Sequence, residues 1–481
     1  MTAVYIILGL LALLILFMIV RTAIAKPVGQ ISERPELDGP DKDKLTENLS
    51  KAVQIPTVSM QTAEFPDRPF YDYADYLEKT YPLFHKAAKK VVVNKYSLCY
   101  SIEGSDPSLK PVCLLAHMDV VPAPAEGWEV PPFSGEIKDG FVYGRGSQDM
   151  KCQMIAALDA MEYMLANGIS FKRSVYLCFG HDEELATFDG APEIVKYLQA
   201  QNIEFEYVID EGGTMIDGSI MGIKGTLALI GTCEKGYMDV VLSASKSGGH
   251  ASTPGKPTVL ASIGRALYMI EKKQMKAKWT QATKDMFKEL APFMNPLFKF
   301  LFINRDILSP LIKLALVLVS PITAALVKTT FAPTMAKGSN AANVLPPYGE
   351  ATVNCRILPG DTPESILEHM RKVAGKNVTL STPIEPVKPC PASPIDTESY
   401  RQLVKTIREV FPGLIPAPYL FIAATDSRYF YPVCKCVYRF TPFVGTEEDL
   451  KRIHALNERV SIDSLHQAAQ FFVRLMRNTC M

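Results

Sequence analysis

The hydrophobic pattern of the chain predicts buried strands that alternate with helices from about residue 42 onward. Apolar runs of strand length and helical patterns follow one another in the order 112–116, 154–166, 174–179, 192–201 and 207–209. Such alternation is typical of a mostly parallel sheet with helices on both faces, because parallel strands need crossover connections and are buried on both sides. The sequence therefore predicts an α/β domain.

The pattern changes after about residue 235, which indicates a second domain inserted into the first. The alternating and helical segments of this part are 238–244, 258–272, 351–358, 363–373 and 378–380. Their order, β-α followed by β-α-β, predicts a smaller α+β lid domain over 235–388. The catalytic domain is then divided into a first part, 42–234, and a second part, 389–481.

An apolar helical insertion, residues 273–335, lies within the predicted lid. Pro310, Lys313 and Pro321 interrupt it, so that it is a poor candidate for a membrane span. Two interpretations stay open. The helices are buried within the lid, or they form an apolar wall for a substrate or a surface that contacts a membrane.

The N-terminus begins with an apolar run, residues 2–20, that carries no charge. Because about 20 apolar residues cross the hydrocarbon core of a bilayer, residues 1–25 are predicted to be a single-pass membrane anchor, followed by a stalk over 26–41. The alternative is a signal peptide cleaved near Ala25, which would leave a secreted protein. No basic residue precedes the run, and Arg21 lies between it and that cleavage site, which favours the anchor.

The side of the membrane on which the body lies stays open. Arg21, Lys26 and Arg34 follow the span, and the positive-inside rule would place the body in the cytoplasm. Asn48 and Asn377 each begin a triplet that accepts sugars in secreted proteins, although such triplets also arise by chance.

Composition excludes several classes of protein. Hydrophobic residues make up 48% of the chain and charged residues 21%, which excludes a largely disordered protein. Lys+Arg and Asp+Glu are 51 each, so there is no net positive charge to hold a nucleic acid. The ten cysteines are sparse for this length and are predicted to be mainly buried thiols.

Candidate metal ligands follow three of the predicted strands. They lie in the runs His117–Asp119, His181–Glu184 and Asp210–Gly213, and Asp149 lies in a glycine-containing turn. Side chains at the carboxyl ends of parallel strands converge on one crevice. Packing several carboxylates there without a cation is costly through repulsion and desolvation. Nitrogen together with carboxylate oxygen suits zinc, with cobalt or manganese as alternatives.

A resemblance to a known family rests on nine short motifs that occur in order. They are the runs 115–122 (LAHMDVVP), 144–151 (GRGSQDMK), 180–184 (GHDEE), 208–212 (VIDEG), 249–254 (GHASTP), 343–346 (NVLP), 356–360 (RILPG), 425–428 (TDSR) and 453–459 (IHALNER). Together they resemble the dinuclear zinc exopeptidases of the aminoacylase and carboxypeptidase S family. Within it, the chain is most similar to the branch of carboxypeptidase S and of the N-fatty-acyl-amino-acid synthase/hydrolases. The resemblance covers about residues 45 to 478.

The resemblance implies two zinc ions and a set of five ligands. His117 and Asp210 would hold one metal, Glu184 and His454 would hold the other, and Asp149 would bridge both. A bridging carboxylate suits two cations close enough to share one water molecule.

The same resemblance implies two catalytic roles beside the metals. Glu183 would be the general base that accepts a proton from the attacking water and passes it to the leaving nitrogen. Asp119 would orient the imidazole of His117 from behind and raise its basicity.

Three lid residues receive roles by the same resemblance. His250 would help to stabilise the oxyanion, and in dimeric relatives this histidine reaches the active site of the partner, which implies a homodimer through the lid. Arg356 and Asn343 would bind the free carboxylate of the substrate. From the residues alone, a strand-capping Asn343 and an Arg356 that merely forms an ion pair stay open.

The function implied is a zinc-dependent hydrolase that cleaves an amide bond and releases a free amino acid. Its substrate would be a peptide or an N-acyl amino acid, including fatty-acyl ones, and the reaction would be reversible. The chain departs from many relatives at Cys152 and at 185–188, which follow the bridging and paired acids. The alternatives are a catalytically silent binding protein on the same fold and another dinuclear metallohydrolase that acts on a non-peptide amide.

Overall fold

The computed structural model describes residues 1–27, 35–60, 67–185, 188–445 and 447–481. The elements of the first part, in chain order, are α1 (Thr2–Ile24), α2 (Lys42–Val53), α3 (Asp67–Thr80), α4 (Pro82–Ala87), β1 (Lys89–Val93), β2 (Ser97–Ile102), β3 (Val112–His117), β4 (Ile137–Lys138), β5 (Phe141–Tyr143), α5 (Lys151–Ala166), β6 (Val175–Gly180), α6 (Ala191–Ala200), β7 (Tyr207–Asp210), β8 (Thr214–Asp217) and β9 (Thr226–Glu234).

The middle of the chain contains β10 (Gly236–Ser245), β11 (Gly249–His250), α7 (Val259–Lys272), α8 (Gln281–Leu290), α9 (Pro296–Ile303), α10 (Arg305–Val319), α11 (Pro321–Ala325), β12 (Thr330–Lys337), β13 (Val344–Leu345), β14 (Tyr348–Ile357), α12 (Pro363–Ala374) and β15 (Thr379–Ser381). The last part contains α13 (Glu398–Val410), β16 (Ile415–Phe421), β17 (Val437–Arg439), α14 (Glu447–Leu450), β18 (Arg459–Ser461) and α15 (Ile462–Cys480).

A large sheet forms the centre of the molecule, with the strand order β1-β2-β6-β3-β7-β17-β9-β16 and with β8 paired to β9. The neighbours β6, β3, β7 and β17 run parallel to one another, and antiparallel pairs lie on either side of them. Every residue of β3 and of β7 is buried, as expected for parallel strands covered on both faces. The predicted α/β fold is confirmed.

Helix α5 begins three residues before the predicted segment 154–166. The added first turn contains Lys151, whose side chain is fully buried. Its ammonium group donates to the carbonyl oxygens of Ala52 at 3.0 Å and Ile55 at 2.6 Å. The sequence pattern could not indicate this turn, because a lysine is expected at a helix surface and not in a core.

The lid contains a second sheet, β12-β14-β10-β15, in which all pairs are antiparallel. Residues of β10 and β14 alternate between buried and half-buried, because one face of this sheet packs on α7 and α12. Beside it, the short strands β11 and β13 pair with each other.

Helices α8 to α11 belong to the insertion 273–335, and α8, α9 and α10 pack on the large sheet. They share an apolar cluster with β9 and β16, which includes Leu227, Leu229, Phe287, Phe302, Leu316 and Leu420. The lid sheet has a separate core around Val240, Val353 and Ile366. The ten cysteines are buried and unpaired, as predicted.

Helix α1 is the helix of the described residues that is long and apolar enough to cross a membrane, with a mean hydropathy of 3.1 over its best window. Only Met18 of its residues is buried. After it, Asp38 forms an ion pair with Arg477 of α15 and accepts a hydrogen bond from Tyr163, so this part of the predicted stalk contacts the body.

A buried charge network lies where the chain passes from the large sheet into the lid. Glu234, at the end of β9, is fully buried and pairs with Arg439 and with Arg428 at 2.8 Å. It also accepts a hydrogen bond from Thr425 at 2.9 Å. This network connects the start of the lid to the second part of the large-sheet domain.

We predict that Glu234→Ala lowers the free energy of unfolding by about 3–5 kcal/mol, because it leaves two arginines buried without their carboxylate. The matched control is Glu398→Ala, which removes a carboxylate from an exposed pair with Arg401 and is expected to leave stability unchanged. Urea unfolding midpoints of the two variants and the wild type check this. Equal midpoints for all three proteins would contradict the prediction.

Candidate metal centre

Three central strands deliver their acidic and histidine side chains to one edge of the large sheet. His117 is the last residue of β3, and Asp210 is the last residue of β7. A short 3₁₀ turn after β6, Glu183–Leu185, carries Glu183 and Glu184. Because these strands are parallel, their carboxyl ends meet, and the predicted crevice lies there.

Asp149 lies between two histidines that are far apart in the sequence. Its Oδ1 atom is 3.2 Å from Nε2 of His117, and its Oδ2 atom is 3.1 Å from Nε2 of His454. The Nε2 atom of His454 is also 3.1 Å from the carboxylate of Glu184. One carboxylate thus directs one oxygen to each imidazole, which is the arrangement that a ligand between two cations needs.

A second group of candidate ligands also contains His117. The ligand atoms of His117, Glu183 and Glu211 lie within 4.8 Å of one another, as do those of His117, Asp149 and Glu184. The Oε1 atom of Glu211 is 3.4 Å from Nε2 of His117. The two groups share His117.

Asp210 is buried beside this cluster, but its contacts differ from those of Glu211. Its Oδ2 atom accepts a hydrogen bond from the backbone N–H of Ser427 at 2.8 Å. Of the adjacent pair Asp210 and Glu211, it is therefore Glu211 that the structure brings within 3.4 Å of His117. A preceding apolar strand indicates both acids, and only the direction of each side chain distinguishes them.

Asp119 supports the cluster from behind and is fully buried. Its two carboxylate oxygens accept the backbone N–H groups of Glu183 at 3.3 Å and Glu184 at 3.2 Å, and Ser59 donates a further bond. The Nδ1 atom of His117 is 2.9 Å from the backbone oxygen of Asp119 and 3.4 Å from its carboxylate. Both the backbone oxygen and the carboxylate of Asp119 thus lie beside Nδ1 of the imidazole, and the same carboxylate also holds the paired glutamates.

Glu458 is a residue that the sequence analysis missed. It is fully buried, and its Oε1 atom accepts the backbone N–H groups of Gly146, Gln148 and Asp149 at 2.9–3.0 Å. Its other oxygen pairs with Arg145. One carboxylate therefore fixes the turn that presents Asp149, and its position four residues after His454 was the available signal.

The turn around Asp149 requires a glycine at residue 146. Gly146 has a φ of 85°, in the left-handed region that favours glycine. A Cβ atom there would lie 2.6 Å from a methyl group of Val120. His454 also has a positive φ, of 61°, which is uncommon for any residue other than glycine. Arg145 donates to its backbone oxygen at 3.1 Å and so connects the two turns.

The electrostatics of the cluster reflect many acids in a buried place. Burial raises the pKa values of Glu183, Glu184 and Glu211, that of Glu211 to about 8. Burial would also raise the pKa of Asp149, but hydrogen bonds with the two imidazoles outweigh it and lower the pKa. Hydrogen bonds to Asp149 and Glu184 raise the pKa of His454 to about 10. The carboxylates thus stabilise positive charge in their midst.

A cavity of about 410 Å³ opens at the cluster. Its acidic end is formed by Asp149, Glu183, Glu184 and Glu211. Its lining also includes the apolar and aromatic side chains of Tyr419, Phe421, Phe443, Val444, Leu450 and Ile453, together with the charged Asp449 and Arg459. The cavity is therefore lined both by the acidic cluster and by many apolar side chains.

The predicted lid residues lie outside this cavity, whose described lining comes wholly from 148–214 and 419–461. His250 and Asn343 are exposed and lie close together, because β11 pairs with β13 and the N–H of Ala251 donates to the backbone oxygen of Asn343. Arg356, on β14, is half-buried with its guanidinium 5.0 Å from the ring centre of Tyr237.

The sequence model of Peptidase family M20/M25/M40 matches residues 113–478 of the chain. The chain belongs to this peptidase family. An M20 peptidase is a hydrolase, and membership implies metal ions at the active site, as the sequence predicted. The resemblance to the carboxypeptidase S branch is confirmed by individual relatives.

The M20 chain is 37% identical over 449 residues to the N-fatty-acyl-amino acid synthase/hydrolase of Xenopus tropicalis, covering 92% of this chain and 87% of that protein. It is 31% identical over 495 residues to carboxypeptidase S of Saccharomyces cerevisiae, covering 89% and 82%. Its fold is similar to that of an M20 family metallo-carboxypeptidase of Sulfolobus solfataricus, with a TM-score of 0.64, 18% identity and coverage of 90% and 98%.

The residues of this M20 cluster fit divalent metal ions by their own chemistry. Two imidazole nitrogens and the oxygens of Asp149, Glu184 and Glu211 converge within hydrogen-bonding range, and no thiolate belongs to either group. Nitrogen and oxygen ligands without sulfur are typical of catalytic zinc and related ions. Positive charge at this place would also offset the cost of burying these acids together.

Proposed function

We propose that this M20 enzyme hydrolyses the amide bond of N-acyl amino acids whose acyl group is long and apolar, and releases the free amino acid. The observation that carries the proposal is the cavity in which the acidic cluster adjoins a wall of apolar side chains. The similarity to an N-fatty-acyl-amino acid synthase/hydrolase supports it. Because hydrolysis is reversible, the same site would also form the amide when fatty acid and amino acid are abundant.

The apolar wall favours an acyl chain over a peptide. Each methylene group of a bound acyl chain that is buried contributes about 0.8 kcal/mol to the free energy of binding. Several methylenes packed on Phe421, Phe443 and Leu450 would therefore add substantially to affinity. A peptide would place polar backbone groups against the same wall. The similarity to carboxypeptidase S keeps a peptide with a free C-terminus as the second candidate.

We propose two zinc ions in the cluster, with cobalt or manganese as substitutes. Asp149 would bridge them, because each of its oxygens faces a different imidazole. Glu184 and His454 would complete one site. His117 would hold the other together with the acid pair after β7, and of that pair Glu211 is the closer residue to His117.

Glu183 would act as the general base. When bound, zinc ions would act as Lewis acids that lower the pKa of a water molecule and polarise the substrate carbonyl. Glu183 would take the proton from the attacking water and give it to the leaving nitrogen, so that the amino acid departs as a neutral amine. The carboxylate of Asp119 would hold Glu183 in place by accepting a hydrogen bond from the backbone N–H of Glu183.

The three lid residues would bind the carboxylate of the substrate and stabilise the reacting carbonyl group. Arg356 and Asn343 would bind its carboxylate, and His250 would stabilise the oxyanion. Since His250 and Asn343 are exposed and lie outside the cavity, they would reach a substrate after lid closure or, in a homodimer through the lid, from the partner.

Helix α1 would remain as a single-pass anchor. The ion pair of Arg21 with Asp306, at 3.0 Å, and the hydrogen bonds of Asn304 to Met18 and Thr22 connect its last turn to the body. Cleavage near Ala25 would remove these contacts.

Of the two sugar-acceptor triplets, the one at Asn48 is buried, because this side chain donates to Asp159. The exposed Asn377 is therefore the position where a glycosylation assay can report the side of the membrane.

Metal content distinguishes the two acids after β7. We predict that Glu211→Ala lowers the zinc bound per chain, because it removes the carboxylate that faces His117. The matched variant Asp210→Ala removes the carboxylate that accepts from the N–H of Ser427 and is expected to retain more metal. Elemental analysis of both purified variants checks this, and the opposite order would assign the ligand to Asp210.

Activity tests the general base. We predict that Glu183→Gln retains normal metal content but lowers kcat by about 10²-fold or more, because the amide cannot take a proton. Near-normal kcat would reject the role of Glu183.

Amide hydrolysis by the wild type that survives exhaustive removal of metal would reject the metal mechanism. Absence of turnover with every substrate would favour a silent binding protein.

A substrate panel tests the acyl preference. We predict that kcat/KM rises with acyl length from N-acetyl to N-oleoyl amino acids and exceeds that for dipeptides. Phe443→Ala is expected to raise KM for the oleoyl substrate and leave the acetyl substrate unchanged, because only a long chain reaches that wall. Faster turnover of dipeptides would favour the carboxypeptidase alternative.

A further inference from the structure

An exposed apolar surface covers the outer side of the helices that pack on β9 and β16. We call it the α9–α11 surface and define it by Leu297, Ile307, Leu311, Leu314, Leu318, Val319 and Ile322. Leu318 is 74% exposed and Val319 is 76% exposed. Scattered apolar residues are ordinary at protein surfaces, but a group of exposed apolar residues on three successive helices indicates a place of interaction.

Helix α10 is apolar on two opposite sides. Ile312 and Leu316 are buried in the cluster on the large sheet. Leu311, Leu314 and Leu318 follow the spacing i, i+3 and i+7, which places them on one side of the helix, and all three are exposed. A helix that is apolar nearly all round is expected to have apolar surroundings on both sides.

The surface begins where the apolar helix α1 is attached to the body. Asn304, at the junction of α9 and α10, is fully buried and donates to Thr22 at 3.0 Å and to the backbone oxygen of Met18 at 3.3 Å. The next contact is the ion pair of Arg21 with Asp306. A bilayer crossed by α1 would therefore end beside this junction.

The charges of the same segment suit phospholipid head groups. Residues 296–325 contain the cations Lys299, Arg305 and Lys313 and a single acid, Asp306, which is paired with Arg21. Cations beside exposed leucines are typical of helices that lie in the head-group layer, where the apolar side enters the acyl region.

A small apolar cavity opens at this surface. It has a volume of about 140 Å³ and is lined by side chains that include Phe298, Phe302, Leu311, Leu316 and Val319. Leu311 and Val319 belong both to the cavity and to the exposed surface. The apolar surface therefore continues inward, where the end of an acyl chain would be preferred to water.

We propose that the α9–α11 surface lies in the interfacial layer of a phospholipid bilayer and forms a second membrane contact beside α1. This proposal rests on the retention of α1. The contact would hold the body against the membrane, where amphiphiles with long acyl chains are concentrated, and would limit the rotation that a single anchor allows. A second copy of the chain or another protein on the same surface would overturn it.

The test uses the full chain reconstituted in phosphatidylcholine/phosphatidylserine vesicles, with α1 verified by mass. Leu318→Cys is labelled with a thiol-reactive environment-sensitive fluorophore, which attaches selectively because the ten native cysteines are buried. Val92→Cys, on β1 at the edge of the large sheet, is the matched control, since Val92 is exposed and apolar but distant in the chain.

We expect doxyl-labelled lipids to quench the fluorescence of the probe at residue 318 at least about threefold more strongly than that of the probe at residue 92. Iodide, which stays in water, is expected to quench the probe at residue 92 more strongly. Equal quenching at both positions would overturn the proposal. Protection of residue 318 from both quenchers would indicate a protein on the surface and would also overturn it.

Two further measurements separate this proposal from the others. Failure of the full chain to float with vesicles would reject the anchor and this contact together, whereas turnover of N-acetyl amino acids in the same sample reports the catalytic proposal alone. Leu314→Glu/Leu318→Glu is expected to lose the lipid quenching of a probe at Leu311→Cys while keeping that turnover and the metal content. Unchanged quenching in this variant would contradict the proposed contact.

Discussion

The repulsion among buried carboxylates at one edge of the large sheet is the constraint on which the rest of the site depends. Asp149, Glu183, Glu184 and Glu211 meet around two imidazoles, and burial raises the pKa of each glutamate. Such a group is stable only when positive charge lies within it. We propose that two metal ions supply this charge, and the shared position of Asp149 between the histidines is the strongest support for that proposal.

Other buried carboxylates hold the acids in place by binding backbone rather than substrate. Asp119 accepts the N–H groups of the paired glutamates, and Glu458 accepts three N–H groups of the turn that presents Asp149. Glu234 is also buried, and its ion pairs with Arg428 and Arg439 fix the point where the chain enters the lid. Rigid positioning of this kind keeps ligands at a fixed geometry, so that little reorganisation is needed when a substrate binds.

The sequence predicted the α/β fold and the family because strand period and motif order depend on local residues. It could not predict the direction of a side chain, so it did not single out Glu211, which the structure brings to 3.4 Å from His117, beside the predicted ligand Asp210. It also missed the role of Glu458, since the motif 453–459 contains this residue but does not show that its carboxylate accepts backbone N–H groups of a distant turn. The interactions of the insertion 273–335, whose helices pack on β9 and β16, depend on tertiary contacts that periodicity does not contain.

Anomalous diffraction at the zinc absorption edge, from crystals of the zinc-loaded protein, would locate the metal ions relative to Asp149. We expect two peaks about 3.5–4 Å apart, as in dinuclear sites, one on each side of the Asp149 carboxylate. One peak would lie beside His117 and the other beside His454. A single peak, or peaks remote from Asp149, would contradict a dinuclear site bridged by this carboxylate.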